Sequence, residues 1–328
     1  MARRKLIDCF VSVVVPLGRD DLDVKSFIRE TGRILNGNYT NFEIILVLGV
    51  PTGEVLRQAR ELVRTEPCLR VIRLSRWYGL ETTVFAGLDA AIGDYTVVLL
   101  PQMDSPRLVA PVVENLRKEA EIVRGVSKLP LKLASWARAG SCLFHWYVKH
   151  YLGFDVPRNS TYLLGLNRRV VNALARTKTR YRHVRYLSAQ LGFESEDFVY
   201  EPNPAGFPQT GLLDSINLAL EIAISFSSHP LRFLSWLGLS GASLNLLYGI
   251  YVIGIFLFKK NIEEGWTTLS LQISGLFFLV FLILTILSEY VGRILEEVRD
   301  QPSYHVIEEF SSSVSIADEN RRNVLKKS

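Results

Sequence analysis

Acidic residues are missing from the one loop that is otherwise laid out to bind a ligand. Val97-Val98-Leu99-Leu100 is apolar and β-branched enough for a buried strand over 96–100, which runs into Pro101-Gln102-Met103-Asp104-Ser105-Pro106. Ligands of open α/β sheets bind beyond the carboxyl ends of such strands. The loop offers a single carboxylate, Asp104, and with the Gln102 amide that makes a poor ligand set for Mg²⁺ or Mn²⁺. Cysteine is scarce as well. Cys9, Cys68 and Cys142 are scattered and odd in number, which excludes a disulfide framework and a zinc knuckle and reads as reduced cytosolic thiols. The five histidines, His145, His150, His183, His229 and His305, have no metal-binding spacing. Zinc-finger spacing and aromatic–basic interleaving are both absent. The net charge of +5 therefore calls for no nucleic acid and suits a protein lying against anionic lipid.

Charge itself is lacking from two long stretches, Phe233–Phe258 and Thr267–Ser288. Each is long enough to cross a hydrocarbon core of roughly 30 Å as a helix. Charges fence them: Arg232, Lys259 and Lys260, then Glu289 and Arg293. Buried core helices are the alternative, but these rarely run so long without one polar face. A secretory signal is not expected, because the apolar run behind Arg3-Arg4-Lys5 is broken by Asp8 and stopped at Pro16. The expected topology is a large cytoplasmic N-terminal part, a hairpin with its loop 259–266 outside, and a tail returning inside from Arg293. Lys259 and Lys260 in the outer loop run against the positive-inside rule, accompanied by Glu263 and Glu264.

Between these landmarks, residues 10–110 alternate strand and helix patterns. Strands are expected at Phe10–Val15, Phe42–Leu48, Leu69–Leu74 and 96–100, with helices at Asp21–Leu35, Glu54–Thr65 and Leu80–Ile92. That order implies an α/β fold with a mostly parallel sheet covered on both faces. A long helical region is expected over Pro106–Tyr151, carrying basic residues amid Trp136, Phe144, Trp146 and Tyr147. Leu212–Ser228 mixes apolar residues with Asp214, Asn217 and Glu221, as an amphipathic helix lying on a membrane does. The expected division is an α/β domain over 1–210, a juxtamembrane helix over 211–230, a two-helix hairpin over 231–292 and a tail over 293–328. Ser311–Ser313 and Arg321–Ser328 are expected to be disordered.

Several segments carry a likeness together. They include Val13-Val14-Val15-Pro16, Glu43-Ile44-Ile45, Val71-Ile72-Arg73-Leu74-Ser75-Arg76 and Ala86-Gly87-Leu88-Asp89-Ala90-Ala91-Ile92-Gly93-Asp94. Asp155-Val156-Pro157-Arg158-Asn159, Phe226-Ser227-Ser228-His229-Pro230-Leu231-Arg232 and Ser288-Glu289-Tyr290-Val291-Gly292-Arg293-Ile294 follow in order. From Val11 to about Tyr304 the chain resembles the membrane-anchored family-two glycosyltransferases of GT-A fold that charge polyprenyl phosphates, such as bactoprenol glucosyl transferases and dolichol-phosphate mannose synthases. The resemblance implies a nucleotide-sugar donor on the sheet and Mg²⁺ or Mn²⁺ on its diphosphate. It implies attack by a lipid phosphate on the anomeric carbon, an inner-membrane location and a homo-oligomer, commonly a tetramer. A hetero-oligomer with an active homologue is the other arrangement considered.

The family's charged positions are mostly replaced. Its Asp-Ala-Asp-Leu-Gln falls on Leu100-Pro101-Gln102-Met103-Asp104, so Gln102 and Asp104 occupy the metal loop without its paired aspartates. The Asp-Asp-Gly-Ser turn that helps hold the base is Leu48-Gly49-Val50-Pro51, and the Asn before the Phe-Gly turn is Trp77. Gly-Asp-Phe-Arg, with its acidic residue near the sugar, becomes Thr161-Tyr162-Leu163-Leu164. The late Arg-Ala-Gly-Glu-Ser-Lys-Tyr segment becomes Pro204-Ala205-Gly206-Phe207-Pro208-Gln209-Thr210. Tyr-Asn-Glu-Glu after the first strand becomes Gly18-Arg19-Asp20-Asp21 and keeps its acidic pair. The candidate site residues are therefore Asp104 for catalysis, Pro16, Asp20 and Asp21 for the nucleotide, and Arg73 and Arg76 for a lipid phosphate. Each has a plainer alternative: Asp20, Asp21 and Asp104 as helix-start residues, Arg73 and Arg76 as a solvated pair. The basic run Arg168, Arg169, Arg176, Lys178, Arg180, Arg182 and Arg185 either gathers anionic headgroups or forms a solvated face. Two functions stay open: a polyprenyl-phosphate glycosyltransferase with an altered donor site, or an inactive relative that binds and regulates an active membrane enzyme. A lipid-phosphate binding module is a third.

Overall fold

The fold comes from a computed structural model, which describes residues 6–18, 24–49, 51–128, 159–177, 183–203 and 304–313, with isolated positions between 146 and 294. The chain divides into two units, Met1–Leu212 together with Pro302–Ser328, and Leu213–Gln301.

The first unit runs β1 (Ile7–Leu17), α1 (Val24–Asn38), β2 (Tyr39–Leu48), α2 (Gly53–Thr65), β3 (Leu69–Leu74), α3 (Leu80–Ala90) and β4 (Tyr95–Val98). A 3₁₀ turn at Pro106–Leu108 leads into α4 (Val109–Arg117), followed by β5 (Ile122–Ser127), β6 (Ser160–Asn167), α5 (Arg168–Arg176), α6 (Val184–Gln190), β7 (Ser195–Tyr200) and β8 (Val306–Ser311). The strands form one sheet in the order β7-β5-β6-β4-β1-β2-β3-β8. Its centre is parallel: β1 pairs in parallel with both β2 and β4, and β2 with β3. β6 is antiparallel to β4 and β5, and β8 is antiparallel to β3. Central strands buried on both faces are continuous apolar runs, as in Val13-Val14-Val15 and Ile44-Ile45-Leu46-Val47.

The helices follow from local chemistry. α1 buries Val24, Phe27, Ile28, Thr31 and Leu35, the stripe that helical spacing predicts. α2 is capped by Thr52, whose hydroxyl accepts from the Val55 N–H, with Glu54 in its first turn and Arg64 in its last to complement the dipole. α3 lies flush on the sheet because Gly87 has no side chain; a Cβ there would stand 2.3 Å from Val14 Cγ1.

Two expectations are corrected. The helix expected over Pro106–Tyr151 stops at Arg117, and β5 follows it in the sheet. Its turn uses Glu119 at φ 116°, a backbone region normally left to glycine. Of the tail expected to be disordered, Ser311 and Ser312 are instead held: Ser311 closes β8, and the Ser312 hydroxyl accepts from the Leu69 N–H. Residues 314–328 lie outside the described residues, as do the expected helix at 212–228 and most of both expected spans. Among the described residues no helix is long and apolar enough to cross a membrane.

In the second unit every described residue between Leu269 and Ile294 is helical. Leu269, Ile273, Phe277, Leu284, Val291 and Ile294 share one exposed apolar face, while Gln272, Leu279, Ile283, Ile286 and Tyr290 share a half-buried one. On the half-buried face Leu279 approaches Gly241, where a Cβ would lie 3.2 Å from Leu279 Cδ1.

A buried polar network joins the sheet to the returning tail. Glu43 accepts from the Ser12 hydroxyl (2.6 Å), the Ile92 N–H (2.8 Å) and Arg70 Nη1 (2.7 Å). Arg70, 3% exposed, also donates to the Ala90 carbonyl and to Glu309 of β8. Removing one partner of a buried pair strands the other charge, so Glu43→Ala is expected to cost about 3–5 kcal/mol. Thermal melting of the purified chain checks this. Arg60, which meets Glu308 on the surface, is the control, and an Arg60→Ala loss as large as that of Glu43→Ala would refute the network's importance.

Candidate active-site face

β2 and β3 lie on one side of β1 and β4 on the other, so the topological switch point opens between the carboxyl ends of β1 and β4. Pro16 and Leu17 line it from β1, and Leu99 extends the ladder by donating its N–H to the Val14 carbonyl. The loop 99–104 then turns on the Leu100 carbonyl, which accepts from the Met103 and Asp104 N–H groups.

Asp104 locks this loop from within. Its Oδ2 accepts from the Leu100 N–H at 2.9 Å, and the Tyr200 hydroxyl donates to Oδ1 at 2.5 Å. The same hydroxyl lies 2.9 Å from Thr161 Oγ1, so β6 and β7 close over the loop. Asp104 is 4% exposed. Burial pushes its carboxyl up to about 6, against the two hydrogen bonds that favour the charged form. Burial likewise raises Tyr200, reinforced by the neighbouring Asp104. Asp104 is not the cap of the following turn; Ser105 takes that place, accepting from the Arg107 N–H.

A divalent cation does not fit this arrangement. Leu100 is buried, and both Asp104 oxygens are engaged with the protein. Gln102, the remaining position of the loop that the resemblance gives an aspartate, is exposed and carries an amide in place of a carboxylate. Among the described residues no cluster of three or more His, Cys, Asp or Glu is arranged to hold a metal.

The other expected site residues are dispersed. Pro16 is buried in register with Val47, while Asp20 and Asp21 lie outside the described residues. Arg73 faces Glu308 of β8 at 3.7 Å, and the Arg76 guanidinium sits 4.8 Å over the Tyr78 ring. In the basic run, Arg168 donates to the Ala91 carbonyl and Arg169 pairs with Glu121; Lys178, Arg180 and Arg182 lie outside the described residues.

Sequence reasoning missed a cluster on the same carboxyl face. Glu81, in the first turn of α3, accepts from the Val184 N–H at 3.0 Å. Its other oxygen faces Arg185 at 3.6 Å and His183 Nδ1 at 3.8 Å. Arg185 lies over the Tyr162 ring at 4.3 Å and donates to the Ser160 carbonyl. Burial opposes ionisation of Glu81, but His183, the Arg185 charge and the Val184 N–H outweigh it and hold the carboxyl below its ordinary range. Burial raises Tyr162 to about 12. The cluster unites an acid, a cation and a phenol where the family resemblance puts an acidic residue near the sugar. Its members come from positions 81, 162, 183 and 185, so no local motif announces it.

No protein-family model matches the chain. Its relatives by sequence are glycosyltransferases. It is 26% identical over 301 residues to an uncharacterized glycosyltransferase YkcC of Bacillus subtilis, covering 90% of this chain and 92% of that one. It is 25% identical over 327 residues to an undecaprenyl-phosphate 4-deoxy-4-formamido-L-arabinose transferase of Shewanella sediminis, covering 96% and 98%. A bactoprenol glucosyl transferase of Shigella flexneri is 25% identical over 300 residues, covering 90% and 96%. Among solved structures, mannosyl-3-phosphoglycerate synthase from Rubrobacter xylanophilus is 14% identical, covers 70% of this chain and 75% of that one, and superposes with a TM-score of 0.47. The chain is thus a relative of the glycosyltransferases. Within them, it is a homologue of those named for transfer to undecaprenyl phosphate and bactoprenol, as the sequence resemblance implied.

The lock on the loop after β4 has a pH signature. Because the folded-state pKa of Asp104 lies above the ordinary aspartate value, its protonated form favours folding. That contribution is full below about pH 4 and is lost as pH rises through 6. Relative to Asp104→Asn, the wild-type chain is expected to lose about 3 kcal/mol of stability between pH 4 and pH 7. Melting curves of the two proteins across that range check it; parallel pH profiles would rule it out.

Proposed function

We propose that this chain is a membrane-anchored glycosyltransferase relative that does not perform cation-assisted sugar transfer, and that it acts as a binding or regulatory partner of an active membrane enzyme working on polyprenyl phosphate. The observation that carries the reading is the metal loop. Leu100 and Gln102 stand where the family has aspartates, and Asp104 spends both oxygens on Leu100 and Tyr200. Transfer from a nucleotide-sugar builds charge on the departing diphosphate, and this loop has no ligand set for a cation to neutralise it.

Anchoring is supported by two observations. The exposed apolar face from Leu269 to Ile294 carries no charge among its described residues and suits lipid better than water. The chain leaves the first unit at Leu212 and rejoins it at Pro302, so any crossing of a bilayer between them occurs an even number of times. A two-span hairpin with both ends on the cytoplasmic side satisfies that condition, and self-association or pairing with an active homologue fits within the same membrane.

A second reading, a transferase that works without a metal, is favoured by the Glu81–His183–Arg185–Tyr162 cluster. It offers a carboxylate and a cation on the carboxyl face where donor and acceptor would meet.

Two measurements follow. Purified full-length protein is titrated by calorimetry with UDP, GDP, CMP and dTDP, with Mn²⁺ or with EDTA. Affinities are expected to be the same in both, and no labelled sugar should pass from a nucleotide-sugar to undecaprenyl phosphate. Metal-strengthened binding with transfer would overturn the partner reading, and transfer in EDTA would establish the metal-free enzyme. Deleting Phe233–Glu289 is expected to move the protein from the membrane pellet to the soluble fraction; retention in the pellet would refute anchoring by the hairpin.

A further inference from the structure

We propose that the corner of the sheet where β8 starts beside the end of β3 is a second membrane contact, at which Val306, Ile307 and Trp77 enter the headgroup layer of an anionic bilayer. The proposal rests on the anchoring reading above and names the part of the first unit that the anchored chain lays on lipid.

The first unit leaves its apolar surface in water unevenly. Among its described residues on strands and adjoining loops, the exposed large apolar side chains are Leu6, Trp77, Val199, Val306 and Ile307. Leu6 precedes β1, at the amino end of the parallel strands. The other four stand at the carboxyl end. Val199 is next to last in β7, Trp77 follows β3, and Val306 is in register with Leu74, the last residue of β3. Three of them meet at one corner, with Val306 45% exposed, Ile307 57% and Trp77 37%. The Ser75 N–H donates to the His305 carbonyl at 2.9 Å, which ties the loop carrying Trp77 to the residue before Val306. A single exposed apolar side chain is ordinary on a protein surface; a cluster on an edge strand marks an interaction site.

A bulge shapes this corner. Glu308 is in register with Arg73 and Val306 with Leu74, so β8 spends one residue more than β3 and Ile307 has no partner on it. Bulges of this kind re-aim side chains at sheet edges. Charged residues protect an edge from water-borne association, as Glu308 and Glu309 do further along β8. Val306 and Ile307 carry no such protection.

The chemistry of the corner selects lipid. The loop reads Ser75-Arg76-Trp77-Tyr78-Gly79, an aromatic pair beside a cation, which is the composition of segments held at headgroup level. Glu308, the acid of the corner, is matched by Arg60 at 3.3 Å and Arg73 at 3.7 Å. Arg76 is exposed over the Tyr78 ring and gives the corner the sign that an anionic surface attracts. The chain re-enters the first unit at Pro302, four residues before β8. A contact made by an already anchored molecule forms at high effective concentration, so a weak one suffices.

The test uses the full-length chain in lipid nanodiscs. Cys9→Ser, Cys68→Ser and Cys142→Ser remove the native thiols, and Ile307→Cys or Leu6→Cys supplies one site for a spin label. In discs of phosphatidylcholine with phosphatidylglycerol, the label at 307 is expected to meet oxygen more often than a water-soluble nickel chelate, and the label at 6 the reverse. Amide exchange on the unlabelled wild-type chain gives a reading that does not depend on those variants. Peptides spanning 305–308 should exchange about fivefold more slowly in these discs than in phosphatidylcholine alone, and Arg76→Gln should remove the difference. A chain that does not enter the discs would overturn anchoring and this contact together. A water-like label at 307 on a chain that has entered them, or exchange indifferent to lipid charge, would overturn the contact and leave anchoring intact. A label shut off from both oxygen and the chelate already in detergent would overturn it in favour of a second copy of the chain.

Discussion

The buried Glu43–Arg70 pair is the contact on which the order of the sheet rests. It links β2 to β3 side by side, takes the Ser12 hydroxyl of β1 and the Ile92 N–H beyond α3, and reaches Glu309 of β8. Two ions taken out of water are expensive, and the pair is tolerable because the Glu43 oxygens and the two terminal guanidinium nitrogens of Arg70 find partners, leaving only Nε without one. Nonpolar residues of similar volume would serve stability as well. What they would not supply is direction. The guanidinium ties Glu309 of β8 to the edge of β3, and β8 is the strand that follows the second unit in the chain. Tyr304, donating to Asp89 of α3, and Ser312, bonded to Leu69, fasten the two ends of the same segment.

Because the returning strand is fastened to β3, it also shapes the face at which β3 ends. The His305 carbonyl holds the loop that carries Trp77, and Glu308 draws Arg73 away from open solvent. On the far side of the switch point, Tyr200 and Thr161 hold Asp104 against the loop after β4. The carboxyl face is thus framed by contacts made far along the chain, and its side chains are placed by tertiary packing more than by the strands that bear them.

That division explains what the sequence disclosed. The strand at Leu69–Leu74 was legible to the residue, and the neighbouring strands and helices to within a few, because two-sided burial writes continuous apolar runs and amphipathic stripes. β5 was not. The turn before it passes through Glu119 at φ 116°, a residue type that announces no turn, and Gly125 in its middle looks like a loop residue. In the fold that glycine is needed for contact, since a Cβ would stand 2.6 Å from Leu163 Cβ. Of the candidate site, the scarcity of carboxylates in the loop after β4 was legible from the sequence alone. The inward turn of Asp104 depended on Tyr200, 96 residues away, and the Glu81 cluster on partners 81 to 104 residues from it. No spacing rule reaches that far.

The resemblance puts carboxylates at two positions that are apolar here, Leu48 and Leu100. Both side chains are buried, and buried apolar surface strengthens a fold at about 25 cal/mol per Å². Functional sites hold destabilising groups only while function requires them, so under the proposal that the chain uses no cation nothing opposes this gain, and the same burial that stabilises the sheet closes the loop to a metal.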